Sequence, residues 1–290
     1  MNLMRRLATA VVLSVALACG ALRSAAEPAM WVVKGPHATV YLFSTIHALD
    51  KDHPWHTAKV DAAIQRSQAL WLEIPNPDDS AAMQPVLIQL GMDMAHPLST
   101  KLTPEQLAKL DKAAAPVGGA AVLEPMKPWL AGMMLSLAPA LQAGYDPGSA
   151  VELQLKPEFA GKNKPVKGFE TAEQQLHYFA DLPEKTQLDF LASELEDADG
   201  AVDKFKELVA AWYSGDVAKL DALNNAEFRS KYPDLFQLLV VKRNQNFAKQ
   251  IQELLKGHDV IFVAVGAGHL VGKDGVPALL EKEGYQVTRE

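Results

Sequence analysis

Two stretches near opposite ends of the chain repeat one pattern, and that repeat constrains the fold more than any other feature. The first reads Thr39-Val40-Tyr41-Leu42-Phe43-Ser44-Thr45-Ile46-His47 and the second Val260-Ile261-Phe262-Val263-Ala264-Val265-Gly266-Ala267-Gly268-His269. In both, an apolar β-type run stops at a small residue and a histidine follows three places later. Each histidine is followed by a helical stretch (Ala58–Ser67; Val276–Lys282) and a second short extended run (Ala69–Ile74; Tyr285–Arg289). The residues by themselves support a mixed sheet with a helical insert. Equivalent strand ends in one sheet tend to face one cleft, so the two imidazoles are expected to converge there.

Between the repeats the pattern turns helical, giving a large, mainly helical insertion over roughly 77–256. Met30–Val33 and Ala38–Phe43 read as strands joined by a Lys34-Gly35-Pro36-His37 turn. Thr103-Pro104-Glu105-Gln106 is a helix start with a capping box, and Thr171 with Gln174 is another. Pro128–Ala143 reads as one strongly apolar helix. Lys185–Asp197, Ala201–Ser214, Val217–Asn224 and Pro233–Leu255 carry further helical periods, and Lys164–Glu170 reads as one more β segment.

The front of the chain reads as an export signal over 1–26. Arg5 and Arg6 precede an apolar run from Leu7 to Ala18, and Ser24-Ala25-Ala26 resembles a cleavage site before Glu27. The run is shorter than the ~20 apolar residues a membrane span needs. A periplasmic or secreted protein follows, with lipid attachment at Cys19 as the second reading. Cys19 is the sole cysteine, so after cleavage disulfides, thiolate catalysis and cysteine-bound zinc are excluded. Residues 27–290 then form a single domain with room for a proper core. Removing Arg5, Arg6 and Arg23 leaves 25 basic against 35 acidic side chains. A balance of −10 without a basic, aromatic-interleaved cluster argues against nucleic acid. No later segment is apolar enough to span a membrane, and oligomeric state is not legible.

The chemistry of the histidines points to a metal. Imidazole is the usual borderline ligand for a divalent transition ion, and a carboxylate commonly completes a catalytic site. Glu73, closing the first unit, can reach the same cleft as a third ligand or as base for a metal-bound water. The bland alternative is a hydrogen-bonded structural histidine at each strand end and a salt-bridged Glu73. No His-Glu-x-x-His and no Gly-x-Ser-x-Gly occurs, and Gly266-Ala267-Gly268 lacks the Lys-Ser/Thr ending of a phosphate loop. His53 and His56, flanking Pro54 and Trp55, read as surface-loop residues.

Several blocks in family order resemble the TraB/GumN family, related to the Tiki metalloproteases and the erythromycin-esterase/ChaN-like group. They are Tyr41–His47, Leu70-Trp71-Leu72-Glu73, Lys127-Pro128-Trp129, Gly144-Tyr145-Asp146, Val166–Thr171 with Gln174, Arg243-Asn244, and Gly266–Gly272 with Gly275 and Gly284-Tyr285. The family's marks are two Gly-x-x-His motifs and a downstream glutamate. Here Ser44 replaces the first glycine, which would strain any positive φ required there. In Gly148-Ser149-Ala150-Val151-Glu152, where a Gly-x-Asp pattern is usual, Glu152 keeps the charge on a longer arm. The resemblance implies an α/β (α+β) fold whose mixed central sheet is built from two related β-α-β halves, and a metal-dependent hydrolase, in the first place a peptidase, with His47, His269 and Glu73 as ligands of zinc, manganese or cobalt. It adds Glu170, Arg243 and Asn244 as catalytic candidates: Arg243 to steady an oxyanion or clamp a carboxylate, Asn244 to orient a neighbour. Expected partners are a peptide or protein substrate. The alternative is a catalytically inactive peptide- or glycan-binding protein of the same fold, linked to cell-envelope or exopolysaccharide processes.

Overall fold

The computed structural model describes residues 27–50, 54–196 and 200–290. The expected signal segment over 1–26, Cys19 and His53 lie outside the described residues. Six strands form one mixed sheet: β1 (Met30–Lys34), β2 (Thr39–Thr45), β3 (Ala69–Leu72), β4 (Val166–Gly168), β5 (Val260–Gly266) and β6 (Gln286–Arg289). Their spatial order is β4-β3-β5-β2-β1-β6. β4, β3, β5 and β2 run parallel to one another, while β1 pairs antiparallel with both β2 and β6. The two halves therefore interdigitate. β5, from the second half, inserts between β2 and β3 of the first.

The continuous apolar run of β5 is explained by burial on both faces, as parallel strands require. Ile261, Val263 and Val265 pack with Phe247, Ile251 and Leu280 from helices Arg243–Leu255 and Val276–Lys282. Phe262 and Ala264 point the other way, into a cluster with Ile64, Leu155, Phe159 and Trp212 from three other helices. This period-two alternation makes a sheet covered by helices on each side. Part of the helical insertion has its own core, built on Leu98, Leu110, Leu123, Leu135 and Leu191. Among the described residues no helix is long and apolar enough to cross a membrane.

Both capping boxes form: Thr103 with Gln106, and Thr171 with Gln174. Three helices expected to be continuous are interrupted. Pro128–Ala143 divides into Pro128–Ser136 and Ala138–Gln142, because Pro139 lacks an N–H and crowds the preceding turn. The helix from Val217 becomes a π turn over Ala222–Ala226, and the one from Pro233 does so over Gln237–Lys242. These widened turns shift the helical register, and they flank the site described next.

Ser44 is not strained. It lies within β2, Asn163 is the one non-glycine with positive φ among the described residues, and Gly266 itself has φ −51°. Thr45, not Ser44, pairs with Gly266. The Ser44 side chain therefore faces the opposite side of the sheet. Its hydroxyl donates to Ala29 O at 3.0 Å, and its backbone carbonyl accepts from Trp212 Nε1 at 3.0 Å.

Candidate active site

Four adjacent parallel strands each deliver one ionisable residue just past their carboxyl ends. In spatial order these are Glu170 after β4, Glu73 after β3, His269 after β5 and His47 after β2. This edge is where open α/β sheets place their ligands. Three of the four gather on Gly266. A Cβ there would stand 3.1 Å from Glu73 Oε1, 3.5 Å from His47 Nε2 and 3.7 Å from His269 Cδ2. With an ordinary φ at this residue, glycine is required for space rather than for conformation.

Arg243 ties the floor of the cleft together. Its Nε donates to both Glu170 oxygens at 3.1 and 3.2 Å, and Nη2 donates to Glu170 at 2.8 Å and to Glu73 Oε2 at 2.6 Å. Nη1 stands 3.0 Å from His269 Nε2 and 3.5 Å from Leu239 O. Gln175 Nε2 donates to Glu170 and Glu73, and Tyr178 OH to Glu170. Gly266 N–H donates to Glu73 Oε1 at 2.8 Å. With its guanidinium donors so engaged, Arg243 positions Glu73 and His269 instead of presenting free donors to an oxyanion.

Each imidazole is oriented through Nδ1. Asn244, fully buried, accepts from His269 Nδ1 at 2.6 Å and donates to Asp274 O at 2.8 Å. Glu152 Oε1 lies 2.5 Å from His47 Nδ1. Asn225 donates to Gly268 O at 3.0 Å, fixing the second motif from behind. Exposure separates the two rings: the His47 side chain is 62% exposed and that of His269 11%. His47 is thus the open ring of the two, above a floor of satisfied charges.

Charge differs between them as well. Glu152's negative charge, against a smaller opposing effect of burial, pushes His47 up to about 9. Burial, reinforced by Arg243 and His47 against the pull of Glu73, pushes His269 down to about 4. Burial opposes ionisation of Glu73, but the charges of His269 and Arg243 and the Gly266 N–H outweigh it, holding the carboxyl well below its usual range. With His269 neutral near pH 7, Arg243 and the protonated His47 are the cations beside Glu73.

The metal that the two motifs suggest can be tested on these donors. Both Nδ1 atoms are held by oxygen acceptors, which leaves Nε2 for the cleft, as metal-bound histidines are held. Yet Arg243 stands on His269 Nε2 and on Glu73 Oε2, and the other Glu73 oxygen holds the Gly266 N–H. Among the described residues no three histidine, cysteine or acidic side chains are arranged so that they could hold a metal ion. As folded, the residues do not fit a site with three protein ligands.

The expected residues His47, Glu73, Glu170, Arg243, Asn244 and His269 all meet at this one edge. His56 does not; it pairs with Asp61 at 2.6 Å on the surface of helix Ala58–Arg66. Sequence reasoning missed Glu152, Gln175 and Tyr178 as members of the cluster. The acidic residue in the segment Gly148–Glu152 was the available signal for the first. Gln175 and Tyr178 carried none beyond their place in a capped helix.

No curated protein and no solved structure matches this chain. A family model does, over residues 29–289, nearly the whole length and spanning every residue of the cleft. The chain belongs to the TraB/PrgY/gumN family.

Proposed function

We propose that the chain is an exported hydrolase acting on an amide or ester bond, with a peptide as the substrate class its family kinship favours. The observation that carries this reading is the His47–Glu152 pair: an exposed imidazole, fixed at Nδ1 by a carboxylate, turns Nε2 toward Gly266 and Glu73. That is the arrangement of a general acid–base group, with the ring as proton carrier and the carboxylate setting its tautomer and orientation. Near pH 7 Glu152 keeps His47 protonated, so Nε2–H is poised to give a proton to a leaving group and to recover it from water. Glu73, Arg243 and Glu170 form an ordered polar floor against which the substrate's polar atoms are held.

A divalent ion held by His47 and His269 is the second reading, favoured by the oxygen-anchored Nδ1 of both rings. It requires Arg243 to leave His269 Nε2. The first reading is tested with the purified chain on a peptide library, each variant checked for folding. General acid–base groups contribute about 10²–10⁴-fold, so His47→Ala should lose turnover by that factor and Glu152→Gln by less. Turnover abolished by chelators and restored by zinc, manganese or cobalt selects the second reading. Saturable peptide binding without turnover overturns both and leaves a non-catalytic binder.

A further inference from the structure

Within the helical insertion lies a cavity of about 510 Å³ that the cleft residues do not use. Its size falls in the range of small-molecule sites, ~300–1,000 Å³. Leu135, Phe179, Phe190, Phe205, Leu208 and Phe228 are among the side chains that line it. Phe179, Phe205, Leu208 and Phe228 are only partly buried.

Several of the polar groups around it already have partners. The hydroxyls of Ser136 and Ser193 donate back to Met133 O and Phe190 O, on their own helices. At the edge, Glu227 accepts from Lys204 at 2.6 Å and pairs with Lys231 at 2.7 Å, and Lys231 also meets Glu196 at 3.8 Å. Those lysines are neutralised by glutamates, so this edge selects neither an anion nor a cation. An occupant gains by burying hydrocarbon, not by pairing charge.

From this geometry we infer that the cavity is a binding site for an aliphatic chain, of the kind carried by a fatty acid or by the acyl tail of a larger molecule. The inference stands without the hydrolase reading. The two sites share a wall, however. Leu239 lines the cavity while its carbonyl faces Arg243, and the side chain of Asn224 lines it 3.8 Å from where a Cβ on Gly268 would be. A chain seated here would lie against the back of the second histidine motif.

The probe is N-phenyl-1-naphthylamine, followed by fluorescence on the purified chain and displaced by twelve-carbon competitors. Saturable binding of one equivalent is expected. Dodecanol, dodecanoate and dodecyltrimethylammonium should displace it within about threefold of each other, because the paired edge carries no bare charge to discriminate them. Leu208→Trp and Leu223→Trp, which fill the cavity from two helices, should each weaken the probe about tenfold or more while melting as cooperatively as wild type. A lauroylated hexapeptide competing as well as dodecanoate assigns the site to the tail of a larger molecule; dodecanoate alone competing assigns it to free chains. Absence of saturable binding, or binding that both tryptophan variants leave unchanged, overturns the inference.

Discussion

Replacing Arg243 by methionine tests the account of the cleft floor most directly. The Glu170 side chain is 1% exposed, Glu73 15% and Arg243 12%, so the three charges are held away from bulk water. Methionine fills much of the space but supplies no donor. Glu73 keeps the Gly266 N–H, whereas Glu170 is left with Gln175 and Tyr178 alone. Removing one partner from a buried ion pair costs about 3–5 kcal/mol, because the stranded charge has lost its water and gained nothing. At about 2–4 °C per kcal/mol for a domain of this size, the melting temperature should fall by about 6–20 °C. Circular dichroism melts and urea titration measure this. A double variant, Arg243→Met with Glu170→Gln, should recover part of the loss, since a neutral amide is far cheaper to bury than a lone carboxylate. A double-mutant cycle should show coupling above about 1 kcal/mol. Arg243→Met within 1 kcal/mol of wild type, or costs that simply add, would refute the hub.

Gly266→Ala should separate stability from function: its ordinary φ permits alanine, yet the new methyl lies 3.1 Å from Glu73 Oε1, so peptide turnover should drop steeply while unfolding free energy falls by less than about 2 kcal/mol. Glu152→Gln should return His47 from about 9 toward 6.5, read from its imidazole proton resonances between pH 5 and 10. Because the folded value is raised, the pair's stabilisation is complete below about 6.5 and lost as pH climbs through about 9; the variant's stability deficit should shrink over that window. Glu227, lowered to about 2 chiefly by its hydrogen bonds from Lys204 and Lys231, carries the opposite sign. Its stabilisation is present above 4.5 and lost toward pH 2, so Glu227→Gln should flatten the acid limb of a pH–stability curve, and an unchanged limb would exclude the pair as a contributor. Asn244→Ala should unlock the His269 ring and lower turnover more than stability, whereas equal losses would mark Asn244 as purely structural.

Local signals carried most of the elements. The apolar runs of β2 and β5, the capping boxes at Thr103 and Thr171, and helix Ala201–Ser214 were legible because each is decided by side chains within a few residues of one another. The π turns at Ala222–Ala226 and Gln237–Lys242 were not, since one extra residue per turn leaves the apolar period nearly unchanged. Yet the second of these turns leads directly into Arg243 and Asn244 and so fixes the faces they present.

The sequence by itself determined that two equivalent strand ends carry His47 and His269, that Glu73 closes the first unit, and that β5 is apolar on both faces. Only the tertiary structure decided that β5 enters between β2 and β3, which brings histidines 222 positions apart to one glycine. It also decided that Glu152 holds His47 and that Arg243 takes the lone pair of His269. The reason is physical: strand runs and helix caps are set by nearest neighbours along the chain. Which strands become adjacent, and which charges meet at their ends, is settled by burying two helical layers against one sheet, a choice that no short stretch of residues encodes.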